Sequence, residues 1–175
     1  MGSVCSLYDS APIPVGNKSH YSSGLVKAPL TLHDFERLHV LGEGGFGITH
    51  KARNKVTGQI VALKLIKKQQ AGMRPGDIRG IFEREVDVLG GLAHMHICHL
   101  LEAFEERDCF VLVLEYLRGG ELFDRILKLS HYSEKVASEM VQQILNAVSY
   151  LHDQKIAHLD IKPENFVCDL SLICS

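Results

Sequence analysis

Three glycines, Gly42, Gly44 and Gly47, follow the spacing G-x-G-x-x-G, which restricts the folds that this chain can adopt. Without a Cβ atom, such residues let the backbone approach phosphate oxygens closely. A P-loop would need Lys-Ser or Lys-Thr directly after the last glycine, where the sequence has Ile48. A Rossmann unit would need a helix there, whereas residues 48–64 have the pattern strand, turn, strand. The spacing therefore predicts a glycine-rich hairpin over a phosphate, with an incidental flexible hairpin as the alternative.

Hydrophobic periodicity around this hairpin predicts a small β-rich region with one helix, followed by a helical region. Gly90 and Gly91 are expected to end the first helix, and Ser133 to cap the last. The predicted strands cover 35–45, 46–54, 59–66, 100–104, 109–116 and 155–157, and the predicted helices cover 77–92, 121–129 and 133–153.

Two opposite charges are predicted to lie on buried faces of adjacent elements. Lys64 sits inside the strand I-V-A-L-K-L-I, which is apolar on both faces. Glu85 falls on the helical stripe that also contains Ile78, Phe82 and Leu89. Because buried lysine and glutamate are seldom unpaired, we expect the two side chains to form an ion pair. The alternative is that Lys64 extends to solvent and Glu85 lies at the edge of the stripe.

A loop near the end of the chain gathers polar side chains in the order His158, Asp160, Lys162, Asn165, with Pro163 fixing a turn. The aspartate can orient a hydroxyl or accept its proton, and the lysine can hold phosphate charge. The asparagine offers a neutral oxygen to Mg²⁺. A plain polar surface loop would account for the composition of this segment but not for its order.

Composition excludes several classes of protein. A formal net charge of −2 supplies no basic stripe for nucleic acid, so no nucleic-acid partner is expected. The sequence has neither an apolar run long enough to span a bilayer nor a signal peptide. Its five cysteines are scattered, which is typical of a reduced cytosol. We therefore expect an intracellular, cytoplasmic protein.

Residues 1–33 are predicted to form a disordered arm, because the segment is rich in Ser, Pro and Gly. Its start, M-G-S-V-C-S, fits the N-myristoylation pattern at Gly2. One acyl chain binds membranes weakly, so Cys5 would be a palmitoylation site that supplies the second anchor. The expected partner is a membrane surface, and the alternative is an arbitrary Met-Gly start.

Taken together, the motifs G-E-G-G-F-G, V-A-L-K, an inward glutamate, G-G-E-L-F-D and H-L-D-I-K-P-E-N-F resemble those of eukaryotic protein kinases. The order and spacing match from about residue 34 to residue 167. K-P-E-N after the aspartate is similar to serine/threonine kinases. Residues 82–97 and 117–126 look most like the calcium/calmodulin-dependent and calcium-dependent group. The resemblance implies an α+β, two-lobed fold and ATP-dependent phosphoryl transfer to Ser or Thr of a protein substrate.

The resemblance also implies a role for individual positions. It places the hairpin over the ATP phosphates, Leu41 and Ala62 at the adenine, and Lys64, paired to Glu85, at the α- and β-phosphates. It makes Asp160 the catalytic base, Lys162 the phosphate contact and Asn165 a Mg²⁺ ligand. The full implied nucleotide-binding set is Leu41, Gly42, Glu43, Gly44, Gly45, Phe46, Gly47, Thr49, Ala62, Lys64, Glu85, the gatekeeper Leu114, the hinge residues Glu115 and Leu117, and Glu121, which meets ribose or a basic substrate residue.

The sequence departs from the family pattern at three places. Thr49 stands where the family usually has valine. Leu159 replaces the arginine before the catalytic aspartate, as in kinases that do not pair this arginine with an activation-loop phosphate. After Val167 the pattern ends without D-F-G, A-P-E or an EF-hand loop. We therefore expect an incomplete kinase domain, truncated before D-F-G.

That domain is predicted to cover residues 34–175, with an N-lobe at 34–116 and the start of a C-lobe at 117–175. Two other functions stay open, a non-catalytic ATP-binding or interaction module and an inactive truncated product. His94, His96 and His99 beside Cys98 could form a metal site, but the resemblance favours a structural loop after the helix.

Overall fold

A computed structural model describes residues 2–4, 30–44, 47–128 and 133–169. They fall into two compact units. The β-rich unit contains the described residues within 17–91 and 99–116, and the helical unit contains those within 1–16, 92–98 and 117–175. The strands are β1 (Gly2–Val4), β2 (Phe35–Gly44), β3 (Gly47–Asn54), β4 (Ile60–Lys67), β5 (Leu100–Glu105), β6 (Cys109–Glu115) and β7 (Phe166–Cys168), and the helices are α1 (Pro75–Gly90), α2 (Leu122–Lys128) and α3 (Glu134–Asp153).

The β-rich unit contains an antiparallel sheet of five strands in the order β2-β3-β4-β6-β5. All five were predicted, with ends that differ from the prediction by one residue or less. Successive side chains of a strand point to opposite faces, so β4 directs Val61 and Leu63 to one face and Lys64 to the other. The first face carries a cluster of buried apolar residues, namely Phe35, Ala52, Val61, Leu63, Val111 and Val113.

Helix α1 packs against the face of the sheet that carries Lys64. It buries Ile78, Glu85 and Leu89, while Glu83 and Asp87 are exposed. The predicted stripe is therefore confirmed, and a ring stack between Phe82 of α1 and Phe110 of β6, with centroids 4.5 Å apart, lies on it. The helix begins at Pro75, two residues before the predicted start, because proline suits the first helical turn.

The helical unit is built on α3, whose N-cap is the predicted Ser133. Its side-chain oxygen accepts a hydrogen bond from the N–H of Val136 at 3.2 Å. Toward its C-terminal end α3 buries Ala147 and Leu151. The loop at 92–98 packs in this unit, because the hydroxyl of Tyr150 accepts a hydrogen bond from the N–H of Ala93 at 3.0 Å. The apolar residues that α2 and α3 leave exposed are Phe123, Ile126, Leu127, Val136, Val141 and Leu145.

One expectation about local structure is wrong. Residues 155–157, which lie within the described chain, form a turn and an irregular segment instead of a strand. Lys155 has a φ of 63°, in the left-handed region that interrupts an extended run. Of the arm predicted at 1–33, the structure describes residues 2–4, which form β1 and pair antiparallel with β7, and residues 30–33, which lead into a 3₁₀ turn at Leu32–Asp34. The rest of that prediction lies outside the described residues. Among the described residues, none of the helices combines the length and apolar character needed to cross a bilayer.

Candidate active site

The glycine-rich hairpin is formed by β2 and β3, with Gly42 opposite Thr49 and Gly44 opposite Gly47. Gly47 lies so close to β4 that an added Cβ atom would overlap the backbone carbonyl oxygen of Leu65. Only glycine therefore fits there without a shift of the backbone. Leu41 is half-buried and Glu43 is exposed on the strand that enters the hairpin. The implied phosphate contacts at Gly45 and Phe46 lie outside the described residues.

A row of side chains on the Lys64 face of the sheet leads away from the hairpin. Thr49 lies opposite Lys64, and on the next row Ala62 lies opposite Leu114. Ala62 and Leu114 are both buried, so this face presents an apolar surface beside the lysine. Glu115 follows at the end of β6, where its side chain accepts a hydrogen bond from the N–H of His99 at 2.9 Å. The positions assigned to adenine and phosphate contacts are thus neighbours on one sheet face.

Lys64 and Glu85 form the predicted ion pair. The Nζ of the lysine lies 2.7 Å from Oε1 of the glutamate, and the two side chains are 14% and 5% exposed. Strand β4 and helix α1 supply the two partners, so the ammonium is fixed between a sheet and a helix. A cation held in this way gives a phosphate group a positive charge at a defined place.

A second group of polar side chains forms in the loop after α3. Lys162 Nζ lies 2.9 Å from Oδ2 of Asp160, and Asn165 Nδ2 donates to the same oxygen at 2.7 Å. The hydrogen bonds from Lys162 and Asn165 hold the pKa of Asp160 below its ordinary value, and Asp160 raises the pKa of Lys162. The carboxylate is therefore ionised at neutral pH and held in one orientation, which suits a group that receives a proton from a substrate hydroxyl.

The amide of Asn165 is oriented by the turn at Pro163–Asn165. Its Nδ2 also donates to the backbone carbonyl of Asp160 at 2.7 Å. Because the nitrogen makes both of these bonds, Oδ1 is the atom left to face a cation, and a neutral amide oxygen is a suitable Mg²⁺ ligand. The donor set fits the implied metal at this residue. No group of three or more His, Cys, Asp or Glu residues placed to hold a metal occurs within the described ranges.

The two residues before Asp160 set the path of the loop. His158 is buried, which lowers its pKa, and its Nδ1 accepts a hydrogen bond from the N–H of Asp160 at 3.3 Å. Leu159 has a φ of 61° and a side chain that is 60% exposed. A leucine in the left-handed region is strained, and such strain is common at functional sites. The leucine at the position of the family arginine is thus exposed, whereas the histidine beside it is buried.

Glu121 directly precedes α2 and pairs with Val167 through an isolated β-bridge. Burial raises the pKa of this carboxyl, and the nearby Asp124 and Glu164 raise it further. Sequence reasoning singled out Glu121 but missed the two other acids. The K-P-E-N motif, which contains Glu164, was the signal that could have indicated one of them. Leu117, the implied hinge residue in the helical unit, is half-buried.

The histidine-rich loop makes contacts within the protein. His94 stacks on Tyr150 with ring centroids 4.9 Å apart, and its Nδ1 accepts a hydrogen bond from the N–H of His96. His96 is buried. These contacts give the loop a packing role in the helical unit. Of the two proposed acylation sites, Gly2 belongs to β1, and Cys5 lies outside the described residues.

Comparison with known proteins adds independent findings. The family model described as "Protein kinase domain" matches residues 35–172, past Val167, where the resemblance was expected to end. The chain is 43% identical over 128 residues to a protein of Dictyostelium discoideum named "probable myosin light chain kinase", covering 73% of this chain and 32% of that protein. It is 45% identical over 128 residues to mouse death-associated protein kinase 2, covering 73% and 35% of the two chains.

A third relative is the carbon catabolite-derepressing protein kinase of Saccharomyces cerevisiae, which is 41% identical over 136 residues. That match covers 78% of this chain and 21% of the yeast protein. The chain thus spans about a third or less of the length of these curated relatives.

Proposed function

Because the chain belongs to the protein kinase family, we propose that it serves ATP-dependent phosphoryl transfer to serine or threonine residues of a protein. We place it in the calcium/calmodulin-dependent and calcium-dependent group on the sequences of residues 82–97 and 117–126. The observation that supports the activity best is that each of the two units holds one charged group in a fixed position. Lys64 is held by Glu85 at 2.7 Å, and Asp160 is held by Lys162 at 2.9 Å.

Nucleotide binding is assigned to the β-rich unit. The adenine would contact the buried Ala62 and Leu114, and the phosphates would contact the hairpin glycines and the Lys64 ammonium. Thr49 beside Lys64 gives this wall a hydroxyl where the family usually has valine. Bound Mg²⁺ would neutralise phosphate charge, and Asn165 Oδ1 is the ligand that this chain offers it.

Proton transfer is assigned to Asp160. The substrate hydroxyl oxygen forms a bond to the γ-phosphorus, the bond from that phosphorus to the β–γ bridging oxygen breaks, and ADP leaves. The hydroxyl proton passes to the Asp160 carboxylate, which the hydrogen bonds from Lys162 and Asn165 keep ionised. Lys162 then offers its ammonium to the transferred group.

The test is transfer of radiolabelled γ-phosphate from Mg·ATP to a serine-containing basic peptide, followed by phosphoamino-acid analysis. We expect phosphoserine with the wild-type chain, and a loss of about 10²-fold or more with Asp160→Asn, since a positioned base contributes that much. Asp169→Asn, which changes a carboxylate outside the assigned set, is the matched control. Equal transfer by the wild type and Asp160→Asn would contradict the assignment of the base.

A non-catalytic ATP-binding module is the second candidate, because the nucleotide contacts assigned to Ala62, Lys64 and Leu114 all lie in the β-rich unit. A thermal-shift titration with ATP, with and without Mg²⁺, separates the two. Stabilisation by ATP that is weaker in Lys64→Met, without any transfer to peptide, would favour the binding module. Transfer by this chain would exclude it.

For the substrate we propose a basic side chain near the phosphorylated residue. Support comes from Glu121, whose carboxyl is partly desolvated and has Asp124 and Glu164 as charged neighbours. A cation placed there would relieve the repulsion among the three carboxyls. Peptides that differ only by Arg or Ala on the N-terminal side of the serine test this. A preference for arginine that is lost in Glu121→Gln supports the proposal, and equal rates would refute it.

We further propose acylation of Gly2, with Cys5 as the second lipid site and a cytoplasmic chain bound to membranes. Support comes from the start M-G-S-V-C-S. Expression in eukaryotic cells, followed by mass measurement of the N-terminal peptide, should show a myristoyl adduct that is absent in Gly2→Ala. Cys5→Ser should reduce membrane recovery while leaving the myristoyl adduct in place. An unmodified Gly2 would end this proposal.

A further inference from the structure

Glu105, at the end of β5, lies on the same face of the sheet as Lys64. Cross-strand pairing places Glu105 opposite Phe110 and Phe110 opposite Ile66, and Ile66 is two residues beyond Lys64 on β4. Residues two apart on a strand share a face. Glu105 therefore lies on the face of the sheet against which α1 packs. It belongs neither to the family motifs nor to the apolar stripe of α1.

Two cations meet at one oxygen of this carboxylate. Lys68 Nζ and Arg79 Nη2 each lie 2.6 Å from Glu105 Oε1. Both cations also stand over the ring of Phe110, with Lys68 Nζ 5.0 Å and Arg79 Cζ 5.1 Å from its centroid. The hydrogen bonds from the two cations lower the pKa of Glu105. The carboxylate is thus the anionic centre of a cluster with two cations and one aromatic ring.

The two cations come from the two elements that carry the ion pair at the site. Lys68 directly follows β4 and is four residues beyond Lys64, whereas Arg79 precedes Glu85 on α1. Phe82 lies between Arg79 and Glu85 and stacks on Phe110 at 4.5 Å. Glu105 therefore connects the end of the strand to the first half of the helix, on the same side of α1 as the stack.

We propose that Glu105 is a positioning residue, which sets the distance between β4 and α1 and thereby holds Lys64 in reach of Glu85. The proposal rests on the proposed function, because it predicts an effect on binding of Mg·ATP through Lys64. The physical reason is the charge of the cluster. Without the carboxylate, Lys68 and Arg79 lose the anion that they share, and Arg79 keeps only its longer contact of 3.7 Å to Glu83 of its own helix among the ion pairs of the described residues. The strand end and the helix are then no longer linked by opposite charges at this point.

The first measurement is the affinity for Mg·ATP, determined by competition with a fluorescent ATP analogue. We expect Glu105→Gln to weaken binding about three- to tenfold, which is the size of effect known for residues that act on a ligand site without touching it. Glu102→Gln removes an exposed carboxylate from the same strand and is the matched control, with an expected change below about twofold. Glu105→Asp keeps the charge and should restore part of the affinity.

Lys64→Met provides the test of mechanism. If Glu105 acts through Lys64, adding Glu105→Gln to Lys64→Met should weaken binding by less than about twofold further. An equal loss in both backgrounds would show that Glu105 acts by another route and would overturn the proposal. A lower unfolding midpoint in Glu105→Gln with unchanged affinity would also overturn it, because that is the signature of a structural role alone.

A readout without nucleotide keeps this test separate from the proposed function. The side-chain ammonium of Lys64 can be observed by ¹⁵N NMR, since a paired and shielded ammonium exchanges its protons slowly. We expect this signal in the wild type and in Glu102→Gln, and its broadening or loss in Glu105→Gln with the backbone spectrum preserved. An unchanged signal would refute the positioning role. Absence of ATP binding in the wild type, with the signal still dependent on Glu105, would instead refute the proposed function.

Discussion

Replacing either member of the Lys64–Glu85 pair should cost far more stability than replacing both. At the observed 2.7 Å, Coulomb attraction at an effective dielectric constant of 20 amounts to about 6 kcal/mol. The desolvation of two largely buried charges offsets most of this attraction. A single substitution removes the attraction but leaves the other charge desolvated. We therefore expect about 3–5 kcal/mol of destabilisation for each single variant.

The exposures of the two side chains set the order of the effects. Glu85 is 5% exposed and Lys64 is 14% exposed, so the lysine reaches water more easily along its flexible stem. Lys64→Met should therefore cost about 4 kcal/mol and Glu85→Met about 3 kcal/mol, whereas the double variant should lose less than about 2 kcal/mol. Urea unfolding followed by circular dichroism measures all four free energies of unfolding. Single losses below about 0.5 kcal/mol, or a double loss equal to their sum, would refute the buried pair.

Three further variants test other parts of the account. Gly47→Ala should lose about 1–3 kcal/mol of unfolding free energy in a urea titration, because the added Cβ meets a backbone carbonyl. Gly44→Ala is the control, since an added Cβ there has nothing within 4 Å and should change the free energy little. Equal effects of the two substitutions would contradict the packing. Because its pKa is lowered, Asp160 stabilises the folded state at neutral pH, and this contribution is lost as the pH falls through that pKa. Lys162→Met removes the main cause of the lowered pKa, so the pKa of Asp160 measured by carboxyl ¹³C NMR should rise. An unchanged pKa would contradict the contact. Ser133→Ala should cost about 1 kcal/mol through loss of the cap, and a calorimetric change near zero would show that the cap does not matter.

The β-rich unit could be predicted well because its signals are local. Alternation of apolar residues defines the strands, and the stripe on α1 places Glu85 on the buried side, opposite a lysine in a strand without polar neighbours. Burial of either charge without a partner would cost so much free energy that their contact could be predicted from the sequence. The order of Asp160, Lys162 and Asn165 likewise indicated a cluster, and the structure brings their side chains within 2.7–2.9 Å.

The remaining features depend on contacts between residues that are far apart in sequence. Glu105 receives Lys68 and Arg79 from 37 and 26 residues away, and no periodicity marks an exposed acid for that role. The prediction of a strand at 155–157 is wrong because the backbone turns at Lys155. The sequence does not indicate this turn, since a left-handed residue is usually glycine or asparagine and here it is lysine.

The central claim, that Lys64 faces the phosphates of ATP, can be measured by covalent labelling. In an acyl phosphate derivative of ATP, the amine of a lysine beside the phosphates attacks the acyl carbon, an amide forms and ATP leaves. Peptide mapping by mass spectrometry then gives the label at each lysine, with the exposed Lys67 of the same strand as the internal control. We predict strong labelling of Lys64 that excess ATP suppresses, together with weak labelling of Lys67 that ATP does not change. Labelling of Lys64 no stronger than that of Lys67 and insensitive to ATP would contradict the account.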